Sequence, residues 1–93
     1  MITLKEKIDI NFIMDEFFAE LERACLKFPE WPEDPIHAAG ILNEEAGETM
    51  RAALDFYYLG GGVEKIKREA IQTGAMAMRL LLNIEKYKTK KGA

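Results

Sequence analysis

The sequence predicts an all-α domain, and three observations predict it. Apolar residues recur at steps of three and four, the spacing that lays a stripe along one side of a helix. No stretch alternates apolar and polar residues for long enough to make a strand. Prolines between Pro29 and Pro35, and then Gly60, Gly61 and Gly62, divide the chain into three long helical segments.

The first helix is predicted from about Asp9 to Phe28. Ile10, Ile13, Phe17, Leu21, Ala24 and Phe28 form its apolar stripe, which Phe12, Phe18 and Cys25 widen. Three prolines then follow within seven residues; proline lacks an amide proton and disfavours helical geometry in the residue before it, so the helix stops. Asp34 and Pro35 start the second helix, the aspartate as cap and the proline at the first helical position. It runs to about Leu59, where the glycines close it by way of the left-handed conformation. The third helix is predicted from about Val63 to Tyr87, with Ile66, Ala70, Ala77 or Met78, and Leu81 inward. So short a turn makes the second and third helices antiparallel neighbours. Ala46, Gly47, Ala52 and Ala53 on one, and Ala70, Gly74, Ala75 and Ala77 on the other, are expected to let them approach closely.

With 93 residues the chain makes one domain, residues 1–93. Its 48% hydrophobic and 31% charged residues place it among soluble globular proteins, away from the disordered class. Five Met, five Phe, three Tyr and one Trp exceed what one small core needs, so part of the apolar surface is expected between subunits of a homo-oligomer. A net charge of −3 argues against a nucleic-acid partner, because such affinity comes mainly from neutralising phosphates. The C-terminal lysines, Lys86, Lys88, Lys90 and Lys91, read as a solvated tail. One cysteine, Cys25, permits no internal disulfide, the start MITLKEKIDI has no signal-peptide core, and no apolar run is long enough for a bilayer. A cytoplasmic protein with no membrane partner is expected.

The informative feature is the run Asn43-Glu44-Glu45-Ala46-Gly47-Glu48. Glu45 and Glu48 are three apart and Glu44 and Glu48 four apart, so these carboxylates crowd one side of a helix, which costs about 0.2–0.5 kcal/mol per like-charged pair. Their neighbours His37, Ala38, Ala39, Ile41 and Leu42 are mostly apolar or small, and acid beside such a stripe is costly unless a cation offsets it. On the third helix Glu69 and Gln72 are again three apart. Folding the hairpin about Gly61 brings the two pairs to comparable heights, with Glu69 about a turn nearer the loop. Oxygen-only ligation of this kind suits Mg²⁺ or Mn²⁺ rather than zinc. The plainer alternative is a solvated acidic face, with Arg51 pairing to Glu48.

The order Glu-Glu-x-x-Glu on one helix, then Glu-x-x-Asp on the next, resembles the MazG-like family of all-α nucleoside triphosphate pyrophosphohydrolases. Glu44, Glu45 and Glu48 match the first half, Glu69 matches the second, and Gln72 stands where the family usually has Asp. The resemblance covers about Trp31 to Leu82. The stretch from Glu69 to Arg79 looks like a variant branch in which Gln replaces that Asp. It implies Mg²⁺-dependent hydrolysis of a (deoxy)nucleoside triphosphate to the monophosphate and pyrophosphate. Glu45, Glu48, Glu69 and Gln72 would hold the metal, Glu44 would orient water, and dimers or tetramers would form. A neutral amide at Gln72 removes one negative charge, which leaves weaker metal binding, a changed metal count, or binding without catalysis as outcomes. The rival expectation is a non-catalytic dimerisation or nucleotide-sensing module with a degenerate site.

Other residues are less telling. Gly60 to Gly62 lack the Lys-Ser/Thr pair of a phosphate loop and follow a helix rather than a strand. His37 has no His or Cys partner, and no Glu-x-x-His pair of an iron-carboxylate bundle is present. Cys25 reads as core. Trp31 can stack on a nucleobase or pack onto the hairpin. Arg79 can reach a phosphate or pair with a carboxylate of a neighbouring subunit.

Overall fold

The computed structural model describes residues 1–91. Helices α1 (Leu4–Lys27), α2 (Pro35–Leu59) and α3 (Glu64–Leu82) are followed by a short 3-10 turn at Ile84–Lys86, and the described residues contain no strand. The all-α expectation holds. Among the described residues no helix is long and apolar enough to cross a membrane.

Local chemistry sets the ends. Thr3 and Glu6 form a capping box: the Glu6 amide donates to the Thr3 hydroxyl at 3.1 Å, and the Thr3 amide donates to the Glu6 carboxylate at 3.0 Å. That box starts α1 at Leu4 rather than Asp9, a signal the apolar stripe does not carry. At α2 the Asp34 carboxylate accepts from the Ile36 amide at 2.9 Å and Pro35 occupies the first turn. Gly60 closes that helix at φ 72°, a left-handed conformation that a side chain would disfavour. α3 stops at Leu82, short of the predicted Tyr87. The Asn83 side-chain Nδ2 donates back to the Arg79 carbonyl at 2.8 Å, and the Tyr87 hydroxyl returns to donate to the Leu80 carbonyl at 3.0 Å.

α3 is the central helix. It packs antiparallel against α2 on one side and parallel to α1 on the other, and α1 and α2 do not pack on each other. The core gathers Ala24, Ala75 and Met76, flanked by Leu21, Trp31, Ile41 and Leu42. On the α2 side Ala38 and Ala52 are buried. There the Thr49 and Thr73 hydroxyls meet at 3.0 Å; each contacts the carbonyl one turn back, Glu45 or Glu69, with its oxygen. This threonine pair fixes the register of the hairpin, and with it the relative heights of the two acidic residues.

A central α3 also corrects several expectations. On α1, Phe17, Leu21 and Ala24 turn inward, but Ile10, Phe12, Ile13, Phe18 and Phe28 are exposed. On α3, Ala70 and Leu81 are exposed. α1 and α2 each have one neighbouring helix within the chain, so half of each apolar girdle meets nothing. Nor do the glycines join α2 to α3. A Cβ at Gly47 would meet open space, whereas one at Gly74 would lie 2.8 Å from the Phe17 ring, on the α1 side.

Candidate functional site

Glu45 on α2 approaches Glu69 and Gln72 on α3. With the Gln72 amide turned so that both of its groups are satisfied, its nitrogen donates to Glu69 Oε2 at 3.1 Å and to Glu45 Oε2 at 3.2 Å. Two carboxylates thus share one amide. Glu45, Glu69 and Gln72 are half-buried, while Glu44 and Glu48 are exposed on the flank of α2. Burial, and then the charges of Glu69, Glu48, Glu20 and Glu44, hold Glu45 above the usual carboxylate range.

Glu20 is the member that sequence reasoning missed. It comes from α1, its side chain is only 16% exposed, and the Arg23 Nε donates to its Oε1 at 2.9 Å while the Arg23 Nη2 donates to the other oxygen. That pair holds the Arg23 guanidinium above its ordinary pKa, through its hydrogen bond to Glu20 and then the charges of Glu20 and Glu45. The only hint in the sequence was a Glu and an Arg three apart on a helix, which is too common to single out. Arg51, expected as an alternative partner for Glu48, makes no ion pair with it.

Some of these groups, though not Glu48 or Glu69, edge a cleft of about 520 Å³ between α1, the 28–34 connection, α2 and α3. Glu20, Glu44, Glu45 and Gln72 form its acidic end, and Trp31, Phe28, Met76 and Ile41 its apolar end. Apolar walls with a few convergent polar groups are the usual make-up of a small-molecule site.

No family model, no curated protein and no solved structure matches the chain.

The donor set can be tested against a hard divalent cation on chemistry alone. Among the described residues no three His, Cys, Asp or Glu side chains converge closely enough to enclose a metal. Mg²⁺ does not require such a cage, because it is commonly held by one or two carboxylates, several waters and substrate phosphates. Glu45 Oε2 and Glu69 Oε2, both facing the Gln72 nitrogen, provide such a pair. The residues fit the ion if the amide swings aside or turns its oxygen inward.

Trp31 and Arg79 have firmer partners than the sequence suggested. The Trp31 Nε1 donates to the Tyr87 hydroxyl at 2.9 Å, and the Arg79 guanidinium lies 4.9 Å from the Trp31 ring centre. Arg79 is buried and donates to the carbonyls of Phe28 and Glu30. Through its Nη2 it clamps the connection between α1 and α2, which commits that nitrogen to the backbone.

Proposed function

We propose that the chain is a Mg²⁺-dependent hydrolase of the MazG-like kind, cleaving a (deoxy)nucleoside triphosphate to the monophosphate and pyrophosphate. The observation that carries this reading is the shared Gln72 amide: it marks the point where Glu45 and Glu69 face each other across two helices. A carboxylate pressed above its normal pKa by burial, and then by acidic neighbours, is the environment in which a cation is welcome. In this reading Glu45 and Glu69 hold Mg²⁺, or Mn²⁺ in its place, with Gln72 adjusting beside them. Glu48, exposed on the same flank, serves through bridging water, and Glu44 at the cleft edge orients the attacking water. The bound ion would neutralise phosphate oxygens and make the phosphorus easier to attack. The chain's share is then positioning and electrostatics, with the apolar end of the cleft receiving the base beside Trp31. A cytoplasmic homo-oligomer completes the reading.

Incubation of the pure protein with Mg²⁺ and a panel of triphosphates tests it. Release of pyrophosphate from at least one of them, lost in Glu45→Gln and Glu69→Gln, is the expected result. Silence across the panel at several pH values would defeat the hydrolase reading.

A second reading is favoured by the same amide. Gln72 already satisfies both carboxylates without a cation, which is what a nucleotide-sensing module with a degenerate site would show. Calorimetry separates the two, since binding of a triphosphate without turnover supports the sensor.

A further inference from the structure

The 28–34 connection is one wall of the cleft: Phe28, Glu30, Trp31 and Pro32 all line it. That wall has little support of its own. Pro29 and Pro32 lack amide protons, and the segment forms no helix or strand. α1 and α2 do not pack on each other, so no direct pairing of the two helices braces the link between them. Of residues 28–34 only Trp31 and Pro32 are half-buried, and the rest are exposed. The Trp31 ring, packed against the core of Ala24, Ala75 and Met76, is the apolar anchor of the whole connection.

Between the two helix caps, the polar contacts come from the end of α3 and the residues after it. The Arg79 Nη2 serves the near half, at the Phe28 and Glu30 carbonyls. The chain then turns at Asn83 and brings Tyr87 and Lys88 to the far half. The Tyr87 hydroxyl accepts from Trp31 Nε1 at 2.9 Å while it donates to the Leu80 carbonyl at 3.0 Å. One residue later the Lys88 amide donates to the Glu33 carbonyl at 3.1 Å, and the Lys88 ammonium lies 2.9 Å from the Glu33 carboxylate. We propose that Tyr87 and Lys88 are a latch on the cleft: they position Trp31 and the 28–34 wall, and the apolar end of the cleft opens when they let go together.

The latch is weak enough to open. Its ion pair is 73% exposed at Lys88 and 67% at Glu33, so solvent screens most of the attraction. Its hydrogen bonds are neutral ones, each shifting an equilibrium by roughly two- to tenfold. Release breaks no helix, because Tyr87, Lys88 and Thr89 have no regular structure, and it leaves the Thr49–Thr73 contact between α2 and α3 in place. A local opening of this kind lies well below global unfolding. Tyr87 and Lys88 are adjacent, so movement of one carries the other.

As control of substrate entry the latch rests on the functional reading; as a movement it rests on the cleft alone, and its test uses neither nucleotide nor metal. Trp31 is the one tryptophan, so its indole proton gives a single NMR signal. Relative to their free rates, that proton and the Lys88 amide should exchange within about threefold of each other, and roughly tenfold or more faster than the most protected α3 amides. Tyr87→Phe keeps the ring and removes the hydroxyl. It should lower protection at both protons, the untouched Lys88 amide included, by roughly two- to tenfold, with α2 and α3 amides unchanged. Ile41→Cys in a Cys25→Ser background puts a thiol in the apolar end of the cleft, and adding Tyr87→Phe should speed its labelling by a thiol reagent to a similar degree. Glu33→Cys with Lys88→Cys, in the same background, should raise indole protection when oxidised and lose the gain in reductant. Independent exchange of the two protons would overturn the proposal. So would a Tyr87→Phe effect spread over all three helices, which marks a merely structural hydroxyl, or unchanged labelling of the cleft thiol.

Discussion

The Gln72 amide nitrogen donates to Glu45 Oε2 at 3.2 Å, which ties α3 to the carboxylate that burial and four acidic neighbours press hardest. The same nitrogen serves Glu69, so a single neutral side chain keeps two carboxylates apart without a cation. Replacing it with an acid removes the donor and adds a charge. Gln72→Glu should therefore lose about 1–3 kcal/mol of stability in chelator, the cost of a hydrogen bond to a charged group. Millimolar Mg²⁺ should restore more of that loss than it adds to the parent chain. Thermal melts of both proteins with and without Mg²⁺ measure the difference, and equal Mg²⁺ responses would show that the ion does not use this point.

Glu45 itself should behave as a liability to the fold. Its pKa is raised in the folded state, so folding favours its protonated form. From the ordinary Glu value of about 4.3 up to the raised folded value, the folded chain holds a proton that the unfolded chain has released. Stability from this group is thus lost as pH rises through that window and regained as pH falls. Glu45→Gln should flatten that part of the profile and raise the melting midpoint at neutral pH by a few degrees. An unchanged pH profile would mean that the crowding around Glu45 is already relieved by solvent.

The fold was readable where local chemistry decides it. Asp34 and Pro35 start α2 and Gly60 ends it, because caps and left-handed turns depend on residues a few positions away. Counting either side of the short turn put the two acidic pairs at comparable heights, with Glu48 nearer to Gln72 than Glu45 is, whereas the Gln72 amide reaches Glu45. What stayed hidden depends on where α1 lies. Nothing near Glu20 in sequence says that it reaches the acidic cluster, and nothing near Gly74 says that it faces Phe17 rather than α2. Arg79 read as a phosphate ligand or subunit contact because its real partners, two loop carbonyls, have no side-chain signature.

Gly74 on α3 packs against the Phe17 ring of α1. A methyl group there would sit 2.8 Å from one carbon of the Phe17 ring and 2.9 Å from the next. Overpacking of this kind costs about 1–3 kcal/mol, against the roughly 1 kcal/mol that alanine gains over glycine inside a helix. Gly74→Ala should be destabilising in the parent chain. In a Phe17→Leu background the clash is gone and the helix preference remains, so the same substitution should become neutral or stabilising. Denaturant melts of the four proteins give the coupling directly, and additive effects would remove Phe17 from the argument.

Arg79 should be the costliest single loss on α3. Its guanidinium is buried, donates to the Phe28 and Glu30 carbonyls, and lies against the Trp31 ring, whose other anchor is the Tyr87 hydroxyl. Arg79→Met keeps the apolar stem but leaves both carbonyls to find water, a loss on the order of 2–3 kcal/mol. Arg79→Lys keeps the charge without the planar fork, so it should recover only part of that loss. Trp31 is the chain's one tryptophan, so its emission reports on the clamp without labelling. A red shift in both variants, larger in Arg79→Met, is expected as the ring gains water. Unshifted emission in a destabilised Arg79→Met would mean that Tyr87 alone seats the ring and that Arg79 acts only on the backbone of the 28–34 connection.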